Sequence, residues 1–246
     1  MNPKSNFLAI ILAAGKGSRL NIRYPKPLYK INDISIIDHI INSITSIGGI
    51  DILTVVGYQK EKIINQIDKQ SMYIVQKNPK GTGDAVRRCA EYIQEYENVF
   101  IFVGDAPFVN SHLIRELRDQ HRNSKSDCSF LYSKFPFSLP YARLIFDSNK
   151  KLQYLIESHL ASKTELETME MFTSHYLFSS SSILEKIKDI LPDRKTKEYN
   201  LTDLINIYIN QEFNLNPIFV EDYWRLMGIN TLDDAKFLES YENNKK

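Results

Sequence analysis

Phe7-Leu-Ala-Ile-Ile-Leu12 is an unbroken apolar run that ends in Ala-Ala-Gly-Lys-Gly. A strand with one wet face alternates apolar and polar residues. A strand covered on both faces does not, and that is the habit of parallel sheets. The pattern recurs at Ile52–Val56 before Gly57, at Met72–Val75, and at Val99–Val103 before Gly104-Asp105. Apolar residues at helical spacing separate these runs: Ile34–Ile47, Glu61–Asp68, a helix opening at Gly81 and continuing to about Glu95, and Ser111–His121. Strand and helix therefore alternate through the first half. This predicts an α/β fold with a mostly parallel central sheet, helices on both faces and right-handed crossovers. Ligands of such sheets bind beyond the carboxyl ends of the strands. The loops of interest are then 13–30, 57–60, 76–82 and 104–109.

The second half is less regular. Tyr141–Phe146, Leu152–Ile156, Glu170–Phe178 and Leu215–Val220 read as strands. Ile183–Ile190, Leu201–Asn210 and Thr231–Tyr241 read as helices, with Asn200 as the cap of the second and a frayed tail at 243–246. The aromatic run Phe130–Phe137 and Trp224 read as packing. With no linker or repeat, the expectation is a single domain over 1–246. It comprises a first half (about 1–125), a smaller β-rich second half (about 126–230) and a C-terminal helix and tail (231–246). A net charge of +1, from 31 Lys+Arg against 30 Asp+Glu, argues against nucleic acid as a partner. Two cysteines without a Cys-x-x-Cys suit a reducing compartment. Phe7–Ala14 is too short to span a bilayer. A soluble cytoplasmic protein is expected.

Three segments carry chemistry. Leu12–Leu20 with Tyr24-Pro-Lys-Pro-Leu28 places two glycines after a buried strand and Lys16, Arg19, Arg23, Lys26 and Lys30 within fifteen residues. Close-approaching backbone and clustered cations suit a polyphosphate. The glycines alone favour a solvated basic turn; the prolines flanking Lys26 fix its backbone and shift the reading to a site. Gln76 offers an amide to a base edge or carbonyl, and the helix opening at Gly81-Thr82 offers free N–H groups. An ordinary strand–turn–helix connection would look the same. Asp105, just past the fourth strand, suits a hard cation such as Mg²⁺, or the capping of a turn. His39, His112, His121, His159 and His175 have no metal spacing, and no nucleophile elbow is present.

Together these segments resemble the sugar-1-phosphate nucleotidylyltransferases, and among them the pyrophosphorylase domain of the bacterial bifunctional N-acetylglucosamine-1-phosphate uridylyltransferases. The matching segments are Leu12–Leu20, Pro25-Lys26, Gln76 with Gly81-Thr-Gly, Gly104-Asp105, Tyr141-Ala-Arg143, Ile156-Glu157, Glu198-Tyr-Asn-Leu-Thr-Asp203 and Gly228-Ile-Asn230. The resemblance implies a Rossmann-like nucleotidyltransferase fold, nucleotide-sugar biosynthesis and Mg²⁺ dependence. It implies that Leu12, Ala13, Ala14, Gly15, Gln76, Gly81 and Thr82 hold the nucleoside, with Gln76 at the base. Arg19 and Lys26 would be the catalytic cations on the triphosphate, and Asp105 and Asn230 the metal ligands. Gly104, Ala142, Glu157 and Thr173 would complete the substrate site, Glu157 at an acceptor sugar.

Three departures stand out. Ala142 replaces a glycine that lies against the sugar. Thr173-Ser-His175 replaces an Asn-Thr-Gly whose amide contacts the acceptor. Arg225-Leu-Met stands where a carboxylate precedes Gly228. The nucleotide half matches the pattern and the acceptor half is altered. The acetyltransferase β-helix is not in the sequence, so no acetyltransferase activity is expected. The leading expectation is UTP and N-acetylglucosamine 1-phosphate as substrates, with uracil as the base. Two alternatives remain open. The same chemistry could run on another phosphorylated acceptor or with CTP or dTTP, or the pocket could be a non-catalytic sensor. Oligomeric state is not legible.

Overall fold

Strand β1 (Phe7–Ala13) is the axis of the molecule, and its alternate side chains feed two cores. Phe7, Ala9, Ile11 and Ala13 enter one, and Leu8 and Ile10 the other. That double burial is why the run has no polar member. The computed structural model describes residues 5–20 and 22–243, with the side chains of Ser18 and Asn243 outside the description.

In chain order, β1 is followed by a 3₁₀ turn at Lys26–Leu28, a small hairpin of β2 (Lys30–Ile31) and β3 (Ile34–Ser35), and α1 (Ile36–Thr45). Then come β4 (Ile50–Val56), α2 (Lys60–Ile67), β5 (Met72–Val75), α3 (Thr82–Arg87), α4 (Ala90–Ile93), β6 (Asn98–Val103) and α5 (Ser111–Ser124). The second half adds β7 (Cys128–Lys134), β8 (Ala142–Phe146), β9 (Leu152–Ile156), α6 (Lys163–Leu166), β10 (Glu170–Ser179), α7 (Ser180–Lys186), α8 (Asp203–Asn210), β11 (Leu215–Phe219) and α9 (Leu232–Asn243).

The main sheet runs β11-β7-β10-β6-β1-β4-β5, with β8 and β9 branching from β10. β1 pairs in parallel with both β4 and β6, and β4 with β5. β10 is antiparallel to β6 and β7. The apolar stripes of α1, α2, α5 and α9 cover one face, and those of α3, α7 and α8 the other. The expected α/β architecture is therefore present. No helix among the described residues is long and apolar enough to cross a membrane.

Several boundaries differ from expectation for identifiable reasons. The helix expected from Ile34 starts at Ile36, because Ser35 is extended and its hydroxyl accepts the Asp38 N–H as a cap. The helix expected over Gly81–Glu95 breaks at Arg88-Cys89 into α3 and α4. Asn200 is not a side-chain cap; α8 begins at Asp203, whose N–H meets the Asn200 carbonyl. Strand β7 was not expected as a strand, and its polar members Ser129 and Ser133 are buried with hydrogen bonds to His121 and the Val220 carbonyl. Of the expected frayed tail, 244–246 lie outside the described residues.

Candidate active site

The carboxyl ends of β1, β5 and β6 open on a cleft of about 390 Å³. β1 delivers Leu12, Ala13, Ala14 and Gly15 to its floor. The turn after β5 delivers Gln76, Gly81 and Thr82. The end of β6 delivers Gly104 and Asp105. A second hollow of about 200 Å³ adjoins it, lined by Tyr141, Ala142, Glu157, Thr173 and Thr202. Arg19, Asp105 and Asn230 line both. Every residue that the resemblance assigned to the site thus lines one of two joined hollows, whereas Lys16, Arg23 and Lys30 of the expected cation cluster line neither. Residues from both ends of the chain meet where the hollows join.

That junction is tightly built. The Lys26 ammonium donates to Asp105 Oδ2 at 2.6 Å and to Asn230 Oδ1 at 2.9 Å. The Arg19 guanidinium donates to the same Asn230 oxygen at 2.9 Å. Lys26 is only 8% exposed although it is a lysine. The flanking prolines and the 3₁₀ turn, closed by Tyr29 N–H on the Lys26 carbonyl, aim it inward. Asn230 is set by the start of α9, where the Asp234 carboxylate accepts both the Asn230 and Thr231 N–H groups at 2.8 Å. The Tyr141 hydroxyl accepts the Gly228 N–H at 3.0 Å and holds that loop segment against Asp105. Burial, then the nearby Asp105 charge, raises the Tyr141 pKa, so the phenol stays neutral.

The donors at the junction suit a hard cation in one respect. Asp105 and Asn230 offer a carboxylate and an amide oxygen, the set Mg²⁺ takes when substrate phosphates complete its shell. Among the described residues there is no group of three or more His, Cys, Asp or Glu that could hold a metal without substrate.

The second hollow carries both signs of charge on its wall, Arg19 with Asp105 and Glu157. Asp203 lies close enough to Glu157 and Asp193 to feel both, and burial with those two charges raises its pKa to about 6. The Thr173 hydroxyl is buried on the wall of this hollow without a hydrogen-bond partner among the described residues. Thr173 and Ser174 sit at a register shift in β10, and Ser174 has φ +62°. Arg143 points the other way. Its guanidinium donates to the Leu139 and Tyr141 carbonyls at 3.0 and 2.5 Å and to Ser138 Oγ at 2.8 Å, pinning the loop that carries Tyr141. Arg225, where a carboxylate was expected, pairs with Asp222 and stacks on Trp224. Trp224 is buried in packing, as expected.

Sequence reasoning gave no role to Tyr141, Glu198, Thr202 or Gly228, which also line these hollows. All four lie in segments that carried the resemblance, so the signal was the motif rather than the side chain.

A family model described as the MobA-like NTP transferase domain matches residues 9–203. The chain belongs to this family. It is 30% identical over 223 residues to the bifunctional protein GlmU of Streptococcus equi subsp. zooepidemicus, covering 90% of this chain and 48% of that protein. Identity to GlmU of Staphylococcus haemolyticus is 27%, covering 90% and 49%. The chain spans about half the length of the curated relatives it matches, corresponding to their N-terminal half. A Bacillus anthracis structure with bound sucrose, described as a candidate glucose-1-phosphate thymidylyltransferase, superposes with a TM-score of 0.79 at 20% identity. It covers 96% of this chain and 94% of that one, and shares its fold.

Proposed function

We propose that the protein transfers a nucleotidyl group from a nucleoside triphosphate to a phosphorylated small molecule, a sugar 1-phosphate in the first instance, and releases pyrophosphate. The observation that carries this reading is the junction itself. Two hollows of unequal size share Arg19, Asp105 and Asn230, with Lys26 bridging the latter two. Two anionic substrates, one in each hollow, would meet at that junction.

An acceptor phosphate oxygen would attack the α-phosphorus of the triphosphate, forming the new P–O bond as the α,β-bridging P–O bond breaks. The acceptor is already an anion, so the protein need supply no base. This agrees with the described side chains that meet at the junction, Arg19, Lys26, Asp105 and Asn230, none of which is a histidine or serine. Arg19 and Lys26 would hold the phosphates in line and offset charge building on the leaving oxygen. Asp105 and Asn230 would hold Mg²⁺, which when bound supplies further positive charge to those phosphates. Gln76 and the Gly81-Thr82 turn would hold the base, and Glu157, Ala142 and Thr173 the acceptor.

The resemblance carries UTP and N-acetylglucosamine 1-phosphate as the pair to assay first. One observation favours a second reading, with the same chemistry on other substrates: the altered wall at Ala142 and Thr173 speaks for a different acceptor. A matrix of four triphosphates against phosphorylated acceptors with Mg²⁺, read by released pyrophosphate, tests the proposal. Release that depends on both substrates is expected. Binding without release across the whole matrix would leave a sensing module as the better reading.

A further inference from the structure

Strand β10 carries two strands in line on one edge. β6 pairs with its Tyr176–Ser179 and β8 with its Met171 and Phe172, while β7 takes the other edge. The smaller hollow is the gap between the end of β6 and the start of β8, and Thr173 and Ser174 of β10 floor it. β6 brings Val103 and Asp105 to one rim, where Arg19 and Asn230 join them. The β8–β9 hairpin brings Ala142 to the other rim and, just past the Arg143–Ile156 pair, Glu157.

The two rims carry unpaired charges of opposite sign. Lys26 pairs with Asp105 at 2.6 Å. Arg19 donates to the neutral Asn230 amide and has no carboxylate partner among the described residues. Glu157 has no lysine, arginine or histidine partner among them. Burial and the charges of Glu157 and Asp193 push the Asp203 carboxyl behind it up to about 6. His159, the one cationic group that acts on Asp203, pairs with Asp193 at 3.4 Å. The surroundings of Glu157 are therefore short of positive charge. Hydroxyls gather on the same side. Ser174 and Thr202 line the hollow and lie beside the Tyr176 phenol, which also feels the Glu157 charge. The Thr173 hydroxyl on the floor belongs to a side chain 6% exposed and has no partner among the described residues. Val103, Ala142, Phe172 and Leu226 put carbon on the wall of the same gap.

We propose that the acceptor is a phosphate monoester whose far end is a primary ammonium, with Arg19 taking the phosphate and Glu157, aided by the hydroxyls beside it, the nitrogen. The inference rests on the nucleotidyl-transfer reading and names the acceptor of that same hollow. A neutral hydroxyl satisfies Glu157 as a hydrogen-bond acceptor. It also displaces solvent and leaves the carboxylate charge unpaired in the filled hollow, which is costly. An ammonium meets both needs. Its three N–H donors suit a carboxylate and neighbouring hydroxyl oxygens, whereas a quaternary ammonium has no N–H to give them. The ammonium takes no part in the displacement, and the attacking atom remains the phosphate oxygen.

An ω-aminoalkyl phosphate and its ω-hydroxyalkyl twin are nearly equal in size, so their ratio isolates the charge. The test is kcat/KM for such twins with two, three and four carbons, set beside sugar 1-phosphates, on the full chain with MgCl₂ and each of four triphosphates, read by released pyrophosphate. At the best length the amino ester is expected to exceed its twin by at least about tenfold, the typical worth of a hydrogen bond between charged groups. Its N-trimethyl form, charged but without N–H, should lose about tenfold against it. Glu157→Gln keeps the size and the hydrogen bonding but not the charge, and should bring the twin ratio to within about threefold. Glu157→Asp, which keeps the charge, should retain a preference for the amino ester. The twin comparison needs only the unaltered protein, so it decides even if a variant fails to fold. Hydroxy esters used as well as amino esters at every length would overturn the proposal, and so would turnover confined to sugar phosphates without an ammonium; both leave nucleotidyl transfer standing. An N-trimethyl ester used as well as the primary amine would overturn the primary ammonium, and a twin ratio unchanged in Glu157→Gln would overturn the role of Glu157. Release with no acceptor of the set, sugar phosphates included, would take the functional reading down as well.

Discussion

Gly228 and Gly17 place a steric demand on the two charged residues at the junction. A Cβ on Gly228 would lie 2.7 Å from Asp105 Oδ1, and one on Gly17, where φ is +62°, would lie 2.6 Å from Lys26 Cβ. Neither neighbour is the free end of a long chain that could swing aside. Gly228→Ala should therefore displace Asp105 and lower turnover by about a hundredfold, with the thermal midpoint nearly unchanged. Normal turnover would show that the Asp105 position is not critical. Lys26→Ala and Asp105→Ala should each lower turnover about a hundredfold or more without unfolding the protein, and near-normal rates in either would remove that residue from the chemistry. Asp203 makes a prediction of a different kind. Its folded pKa of about 6 lies above the usual 3.8, so the folded state binds its proton more tightly. Its contribution to stability is greatest below pH 4 and is lost as pH rises through about 6. Asp203→Asn should then stabilise the protein at pH 7.5 by about 1–2 kcal/mol and change little at pH 4, measured by denaturant unfolding. An equal effect at both pH values would rule out the buried charge as its cause. The charged residues at the junction were legible in the sequence because lysine flanked by prolines and aspartate after a strand and glycine are unusual on sight. The hydrogen bond from Gln76 to Asp84 was not. Asp84 reads as an ordinary residue in the first turn of a helix, and only the fold reveals which carboxylate meets the amide.

At the scale of elements, the strands buried on both faces were the easiest to read, since β1, β4 and β6 have no polar face to confuse the pattern. β7 was harder. Ser129 and Ser133 interrupt its apolar run, and their hydroxyls are satisfied by partners far along the chain, which no local pattern announces. The break between α3 and α4 is likewise invisible in composition. The loop before β8 depends on Arg143, a fully buried guanidinium that satisfies the Leu139 and Tyr141 carbonyls. Arg143→Met should keep the volume but strip those carbonyls of their donors, lowering stability by about 2–4 kcal/mol. Because Tyr141 rides on that loop, the acceptor KM should rise more than the KM of the triphosphate. Equal shifts in both would mean that the loop does not serve the smaller hollow in particular.

For the whole molecule, burial of titratable groups sets the response to acid. Burial lowers the His121 pKa from 6.5 to about 4, and its ring meets Ser129 between α5 and β7. Its neutral form is therefore favoured in the folded state. That stability is complete above pH 6.5 and is lost as pH falls through about 4, amounting to about 3 kcal/mol. Asp203 acts in the opposite sense over the same interval, so the histidine's slope is best read in an Asp203→Asn background. His121→Gln should flatten that acid limb, and an unchanged slope would exclude His121 as its source. The larger claim is that residues from the two ends of the chain converge so that two anionic substrates react directly, with no nucleotidyl group passing through the protein. The stereochemical course at the α-phosphorus tests this most directly, using a triphosphate made chiral there with sulfur and oxygen isotopes. A single in-line displacement inverts the configuration, and inversion is the result expected. Retention would mean two displacements through a covalent intermediate on the protein, and would contradict the account.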